Sequence, residues 1–223
     1  MFISKHSCSF LFLYLITSFL WFSPSPLPSK PYPNYPGKRV DPEIKMLPLP
    51  DVRQAWDYSC GASALQSILV YFGKCWDRED QICKLVKVDP EWGTEPIDIQ
   101  KGAVEYGLKA TIKENLSLAD LEKYYKKGIP VIVAYQAWKD EENKKPWAED
   151  WIDGHYSIVI GIDENNVYLE DPSLIGELGY IPREEFLRRW HDIDRQNRKL
   201  IHLGIIIESS KPPFDVGRFA RID

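Results

Sequence analysis

A cysteine stands where the sequence predicts that a helix begins. Apolar residues recur at intervals of three and four across residues 62–72, which is the period of a helix with a buried face, and Gly73 follows as a stop. Asp57 and Ser59 are good N-cap residues, so Cys60 should lie in the first turn, where unpaired backbone N–H groups stabilise an anion. A thiolate there is a nucleophile, whereas a cysteine without partners is more often a small buried residue.

Residues elsewhere in the chain could complete a nucleophilic site. A thiol needs a base that takes its proton, and the base needs an acceptor on its second ring nitrogen that fixes the tautomer. His155 opens a predicted strand, and Asp171 ends the next strand sixteen residues later. Gln54 precedes Cys60 by six residues, and its amide beside the Cys60 backbone N–H would form an oxyanion hole. Each of these partners also has an ordinary interpretation, as a surface histidine, a turn former or an exposed amide.

The pairing register of the two strands decides whether His155 and Asp171 can meet. A turn at residues 163–166 joins the strands, and a hairpin centred on Glu164 would place Asp171 opposite Ser157. Asp171 would then share a face with His155 at a diagonal distance of about 7 to 8 Å, which a hydrogen bond between the two side chains can bridge. A hairpin centred half a residue later would place them on opposite faces, because each one-residue slip inverts a strand.

The remaining patterns predict helices first and an antiparallel sheet second. Helical periodicity continues in one segment capped by Asp77 and another capped by Thr94, and a capping box of Ser117 and Asp120 opens a fourth helix. Later patterns predict a short helix at residues 182–190 and strands at residues 108–113, 130–135, 154–162, 166–170 and 200–207. The sequence therefore predicts an α+β domain whose sheet packs against the helix that carries Cys60.

The two ends of the chain differ from this domain. Residues 7–22 are uncharged and mostly apolar, which is typical of a signal-peptide core, although an uncleaved anchor that attaches the chain to a membrane stays open. Residues 23–50 are rich in proline and should form an extended tether. We expect an exported protein, extracellular, periplasmic or in the cell envelope, with a targeting segment at 1–22, a linker at 23–46, a domain at 47–208 and a tail at 209–223.

Composition limits the partners and cofactors. The net charge is −5 with acidic and basic residues interspersed, so no basic face indicates a nucleic-acid partner. Neither a C-x-x-C nor an H-E-x-x-H pattern is present, and His155, His191 and His202 are too scattered to predict a metal site, so we expect no metal and no cofactor. Cys75 and Cys83 could form a disulfide in an oxidising compartment, which the sequence leaves open together with the oligomeric state.

An insertion at residues 137–152 leads directly into His155. It contains Trp138, Trp147 and Trp151 among charged residues, and it could form a lid over a substrate groove. An ordered loop whose tryptophans cover the core is at least as good an interpretation, because large aromatic side chains dominate the energetics of burial.

Three sequence blocks resemble the papain-like cysteine peptidases of family C39, whose best-known members process double-glycine leader peptides. The blocks are Q-x5-C-G-x-S-A-L, D-G-H-Y-S-I-V-I-G-I-D and V-Y-L-E-D-P-S-x-x-G. The resemblance implies a papain-like fold with Cys60 as the nucleophile and His155 as the general base. It also implies Asp171 as the partner that orients His155 and Gln54 as the oxyanion donor. Because the sequence shows no ATPase segment and no multi-helix membrane region, it looks more like the stand-alone, exported branch of the family.

The leading hypothesis is a peptidase that hydrolyses a peptide or isopeptide bond in a peptide or protein substrate through a Cys60 thioester. The same acyl-enzyme could pass to an amine, so acyl transfer and amide hydrolysis are alternatives. A non-catalytic peptide-binding module is an alternative from another class. The complete set of four residues favours the peptidase, because a module that only binds needs no nucleophile paired with a base.

Overall fold

The computed structural model describes residues 44–74, 77–140, 142–174, 176–210, 213 and 221–222. All of these residues belong to one compact unit that spans residues 41–223. The predicted targeting segment, nearly all of the predicted linker and most of the predicted tail lie outside the described residues. Within the described ranges, no helix is both long enough and apolar enough to cross a bilayer.

The helices and strands alternate little along the chain. The helices are α1 (Cys60–Tyr71), α2 (Glu79–Leu85), α3 (Pro96–Glu105), α4 (Leu118–Tyr125) and α5 (Arg183–Arg189), with a 3-10 turn at Trp147–Glu149. The strands are β1 (Lys109–Lys113), β2 (Val131–Gln136), β3 (Gly154–Ile162), β4 (Asn166–Glu170), β5 (Gly179–Pro182), β6 (His191–Ile193), β7 (Lys199–Ile201) and β8 (Gly204–Glu208). Three helices precede the first strand, so the predicted α+β order is confirmed.

The main sheet is antiparallel and has the strand order β1-β8-β2-β3-β4-β5, while β6 and β7 form a separate hairpin. Every residue of β2 is buried, and β3 is buried apart from Gly154. α1 and α4 both contact β3. Because neighbouring elements cover these central strands, their sequences are continuous apolar runs rather than alternating patterns.

The predicted bounds of the central hairpin are confirmed, and those of the last strand are wrong. β3 and β4 occupy the predicted residues 154–162 and 166–170. The strand predicted at 200–207 is divided at His202, whose φ of 47° lies in the left-handed region, so β7 and β8 pair in different sheets. β5 and β6 were not predicted, because strands of three or four residues carry too little periodicity to be recognised.

Some predicted helix caps shift by one residue and one is confirmed. Arg78 and Glu95, instead of Asp77 and Thr94, occupy the N-cap positions of α2 and α3. The capping box that opens α4 is confirmed, because Ser117 accepts from the Asp120 N–H and Asp120 accepts from the Ser117 N–H.

Cys75 and Cys83 are the pair whose disulfide the sequence leaves open. Cys75 lies outside the described residues, and Cys83 in α2 carries a free thiol. Burial first, and then the negative charges of Glu79 and Asp80, raise the pKa of Cys83 to about 11. A thiol with so high a pKa is poorly reactive near neutral pH.

α1 is the central helix of the hydrophobic core. Leu65, Ile68 and Leu69 are completely buried and pack in one cluster with Ile132 of β2 and Ile158 of β3. α2 and α3 add apolar residues to the same cluster, so α1 is buried on more than the side that faces the sheet. The position of the first turn of α1 therefore depends on core packing.

Replacing Leu65 with alanine should destabilise the protein strongly. Leu65→Ala leaves a cavity at a completely buried position and should lower the free energy of unfolding by about 2–5 kcal/mol. The control Val104→Ala, at a half-exposed position of α3, should change it by less than about 0.5 kcal/mol. Urea denaturation followed by tryptophan fluorescence measures both, and equal effects would contradict the assigned core.

Candidate active site

Cys60 is the first residue of α1, and it is buried, with 7% of its surface exposed. Ser59 occupies the N-cap position, so the alternative cap Asp57 is wrong. The Ser59 hydroxyl makes no cap hydrogen bond, and its oxygen accepts instead from the Trp56 N–H at 3.2 Å. Its single hydrogen lies between Glu79 Oε1 at 2.6 Å and Trp56 O at 2.9 Å. The first backbone N–H groups of α1 are therefore left without the predicted side-chain cap, beside the thiol.

The residue after the nucleophile lets the helix start pack closely against the chain before α3. A Cβ added to Gly61 would lie 3.0 Å from the Thr94 Cβ and 3.0 Å from the Ile99 Cδ1. These contacts are tighter than ordinary van der Waals packing, so a larger side chain would push the first turn of α1 away from α3. The glycine of the C-G-x-S block is thus explained by packing.

A β-bulge sets the register between β3 and β4. Next to the turn, Ile162 pairs with Val167, so the hairpin is centred half a residue after Glu164. Farther along, Ile158 pairs with Glu170, which is the register centred on Glu164. The shift occurs because Ile160 of β3 is left out of the pairing. The predicted centre is therefore wrong at the turn and correct beyond the bulge.

The bulge brings Asp171 to the face of the sheet that carries His155. Without the extra residue in β3, the register at the turn would place these side chains on opposite faces. With it, the His155 Nε2 lies 2.9 Å from the Asp171 Oδ1, and both side chains are almost completely buried. Nε2 is thus the ring nitrogen that faces the carboxylate.

Additional donors hold the Asp171 carboxylate in place. The backbone N–H of Ser173 donates to Oδ1 at 2.8 Å, and the Tyr135 hydroxyl donates to Oδ2 at 3.0 Å. Tyr135 pairs with His155 across β2 and β3, and its hydroxyl also lies 2.9 Å from the Ser157 Oγ. Sequence reasoning missed Tyr135 and Ser157. The signal was a tyrosine inside a continuous buried run, because a buried phenol needs a hydrogen-bond partner.

Cys60 lies close enough to His155 to act on the pKa of the ring. Because Nε2 faces Asp171, Nδ1 is the nitrogen available to the sulfur. Burial has the largest influence and lowers the pKa of His155, but the charges of Asp171 and Cys60 together with their hydrogen bonds raise this pKa to about 10. Burial likewise acts to raise the pKa of Asp171, and the positive charge and hydrogen bond of His155 lower it overall. At neutral pH the ring is therefore a cation between the carboxylate and the sulfur.

Gln54 connects the segment before α1 to the segment after Asp171. Its backbone N–H donates to Pro172 O at 3.0 Å, and its Oε1 accepts from the Ser173 hydroxyl at 3.2 Å. Its Nε2 donates to Trp56 O at 2.9 Å, which engages one of the two amide hydrogens. The structure thus brings Gln54, Cys60, His155 and Asp171 to one end of α1.

The insertion before His155 packs on neighbouring elements. The ring of Trp147 lies between the Lys139 ammonium at 3.9 Å and the Arg189 guanidinium at 3.7 Å. Trp151 packs against the ring of His191, with the ring centroids 4.3 Å apart. These contacts favour the interpretation in which the tryptophans cover the protein body, rather than that of a lid.

The other histidines make structural contacts. The ring Nε2 of His191 lies 2.6 Å from Asp150 O, and His202 stacks on Trp190 at 4.8 Å. Within the part of the chain that the structure describes, no three His, Cys, Asp or Glu residues are grouped so that they could hold a metal ion.

Comparisons with known proteins agree with this architecture. Residues 46–198, more than half of the chain, match the model of the Peptidase C39 like family. No curated protein sequence matches the chain. One similar solved structure is a double glycine motif protease from an AMS/PCAT transporter in complex with its leader peptide, at 21% identity. It covers 73% of this chain and 92% of that chain with a TM-score of 0.52.

Two further solved structures show the same likeness. The peptidase domain of Streptococcus ComA, a bi-functional ABC transporter involved in a quorum sensing pathway, has 20% identity. The match covers 70% of this chain and 95% of that chain with a TM-score of 0.52. A C39-like peptidase from Bacillus anthracis has 19% identity and covers 75% of this chain and 100% of that chain with a TM-score of 0.54. At these identities the likeness shows the papain-like fold that the sequence predicts.

Removing the charge of Asp171 should lower the pKa of His155. In Asp171→Asn the carboxylate charge that raises the pKa of His155 is gone, while burial still lowers it. The pKa of His155 should therefore fall well below about 10. The raised pKa of His155 stabilises the fold fully below pH 6.5, and this stability is lost as pH rises through about 10. In Asp171→Asn this stabilisation should be smaller, and its loss should be complete at a lower pH.

An NMR titration of the histidine ring nitrogens measures the pKa, and denaturation at several pH values measures the stability. Asp98→Asn, which removes a carboxylate that pairs with Lys87 and Lys101, is the control and should leave the pKa of His155 in place. An unchanged pKa of His155 in Asp171→Asn would mean that the Asp171 carboxylate is not what raises this pKa.

Proposed function

The chain belongs to the Peptidase C39 like family, and from this premise we propose that it is an active cysteine peptidase that hydrolyses a peptide or isopeptide bond. One observation carries the proposal: His155 is hydrogen-bonded to Asp171 through Nε2 and lies close enough to Cys60 for the sulfur to act on the pKa of the ring. A nucleophile, its base and a third group that orients the base are the recurring parts of nucleophilic catalysis.

The proposed reaction begins with the Cys60 sulfur. The thiolate attacks the carbonyl carbon of the scissile bond, and the charge moves to the carbonyl oxygen. The His155 imidazolium then gives its Nδ1 proton to the leaving amine, the C–N bond breaks, and a thioester remains on Cys60. His155, now neutral, takes a proton from water, which attacks the thioester. The C–S bond breaks, the acid leaves, and the Cys60 thiolate beside the His155 imidazolium is restored. Asp171 holds the ring in one orientation throughout.

The charge on the carbonyl oxygen needs donors that are already in place. The backbone N–H of Cys60 belongs to the first turn of α1 and has no partner within the helix. The Gln54 amide has a second hydrogen beyond the one that it gives to Trp56 O. We infer that these two groups form the oxyanion hole, with Gln54 positioned by its contacts to Pro172 and Ser173.

The proposed substrate is a peptide or a protein segment. This inference draws on the family and on the similar protease whose solved structure contains a leader peptide. The neighbours at 19 to 21% identity show the fold alone, so a double glycine sequence is one candidate cleavage site to be tested beside others.

Peptide cleavage should depend on Cys60 and His155. A mixture-based peptide library that includes Gly-Gly sequences is incubated with the full chain, and mass spectrometry identifies the cleaved bonds. Cys60→Ala and His155→Ala should each lower the cleavage rate by at least about 1000-fold, because each removes a reacting group. Cys83→Ala is the matched control, since it removes the other described free thiol, and it should keep the rate of the wild type. Cleavage by Cys60→Ala at the rate of the wild type would contradict the proposal.

Replacing Gln54 should lower the chemical rate more than substrate binding. Gln54→Glu keeps an acceptor for the Ser173 hydroxyl but loses the amide donor, so kcat should fall by about 100- to 1000-fold with a smaller change in KM. Gln196→Glu, at an exposed turn position, controls for the added negative charge. A Gln54→Glu enzyme with the kcat of the wild type would rule out the amide as an oxyanion donor.

A further inference from the structure

The Glu79 carboxylate accepts hydrogen bonds from the segment that precedes α1 and from the first turn of α1. The backbone N–H of Ala55 donates to Oε1 at 3.0 Å and to Oε2 at 2.8 Å. The Ser59 hydroxyl donates to Oε1 at 2.6 Å, and the Ser63 hydroxyl donates to the same oxygen at 2.8 Å. One side chain thus binds a loop residue, the N-cap of α1 and the residue one turn later.

These contacts are not needed by the helix to which Glu79 belongs. Glu79 is the first residue of α2, and the N-cap of α2 is satisfied without it, because the Arg78 backbone N–H donates to Gln81 Oε1 at 3.1 Å. The Glu79 oxygens instead accept from donors outside α2. Ser59 and Ser63 are completely buried, and a buried hydroxyl without a partner is costly. The carboxylate is an acceptor for both hydroxyls, and Ser59 has Trp56 O as a second acceptor.

The residues that Glu79 binds are the neighbours of the two proposed oxyanion donors. Ala55 follows Gln54, and Ser59 precedes Cys60. A single carboxylate therefore fixes the chain on both sides of the loop between the Gln54 amide and the Cys60 N–H. A misplacement of catalytic groups by about 1 Å can lower the rate by about 100-fold. The hydrogen bonds that Ala55 and Ser59 donate to Glu79 therefore matter to the reaction.

We propose that Glu79 is a positioning residue that holds the two donors of the oxyanion hole in register, an inference that rests on the proposed function. A glutamine at this position has one acceptor oxygen, and its amide hydrogens would face the Ala55 N–H or the serine hydroxyls. Glu79→Gln therefore keeps the size of the side chain and removes some of the hydrogen bonds that the carboxylate accepts. Glu79 itself touches no reacting atom.

Two small probes separate the oxyanion hole from the nucleophile. Iodoacetamide is attacked at a saturated carbon: the Cys60 sulfur forms an S–C bond, iodide leaves, and no oxyanion develops. p-Nitrophenyl acetate is attacked at a carbonyl carbon: the S–C bond forms, charge develops on the carbonyl oxygen, and p-nitrophenolate leaves as the acetyl thioester remains. Only the second reaction uses the oxyanion hole.

The experiment measures both rates on the full chain. Glu79→Gln should lower the rate of acylation by p-nitrophenyl acetate by about 10- to 100-fold and change the rate of alkylation by less than about twofold. Asp80→Asn, which removes the neighbouring carboxylate of α2, is the matched control and should change neither rate. Acylation at the rate of the wild type in Glu79→Gln overturns the inference, and so does an equal fall of both rates, which would indicate a general loss of structure.

Two further variants keep the result decisive. Gln54→Ala tests the oxyanion hole directly: if it lowers acylation and Glu79→Gln does not, only the role of Glu79 is wrong. If neither variant lowers acylation, the oxyanion hole of the proposed function is wrong as well. If Glu79→Gln does not fold, Ser59→Ala removes one donor to the carboxylate and should lower acylation but not alkylation, and an unchanged acylation rate overturns the inference.

Discussion

Strand side chains alternate between two faces, and this alternation is the constraint on which the candidate site depends. His155 lies on β3, and Asp171 directly follows β4. The register at the turn between these strands would place the two side chains on opposite faces, and one unpaired residue, Ile160, brings them to the same face. The Ile160 carbonyl is not left without a partner, since it accepts from the Leu47 N–H at 2.9 Å. The segment before α1 therefore completes the bulge as well as carrying Gln54.

Burial and pairing act against each other at His155 and Asp171. Taking either charge out of water is costly, and each is retained because the other lies at hydrogen-bond distance and because Tyr135 and Ser173 donate to the carboxylate. The loop before α1 is organised in a similar way, with the Glu79 carboxylate accepting from backbone and hydroxyl donors. Two carboxylates thus support the site: Asp171 binds His155, and Glu79 binds the chain next to Cys60.

Much of the fold could be predicted because it follows from local patterns. The spacing of apolar residues located α1, β3 and β4. Cys60, His155 and Asp171 were proposed from their places at element ends, and Gln54 from its spacing before Cys60. The bulge at Ile160 could not be predicted, because an inserted residue in a continuous apolar run leaves the sequence pattern unchanged.

Other features depend on contacts between distant parts of the chain or on unusual backbone geometry. The hydrogen bonds from Tyr135 to Asp171 and from Ser59 to Glu79 join residues that only tertiary packing brings together. The division of the last strand depends on the left-handed conformation of His202, which is uncommon for residues other than glycine. Export and the targeting segment stay predictions, because residues 1–43 lie outside the described residues.

The most direct test of the central claim is the rate at which iodoacetamide alkylates Cys60 at mildly acidic pH, compared with the rate for glutathione. Cys60, beside the His155 cation, should react at least about tenfold faster than glutathione near pH 6, and His155→Ala should abolish the difference. Cys60 that reacts no faster than glutathione, with no effect of His155→Ala, would contradict the account, because the buried histidine would then not activate the sulfur.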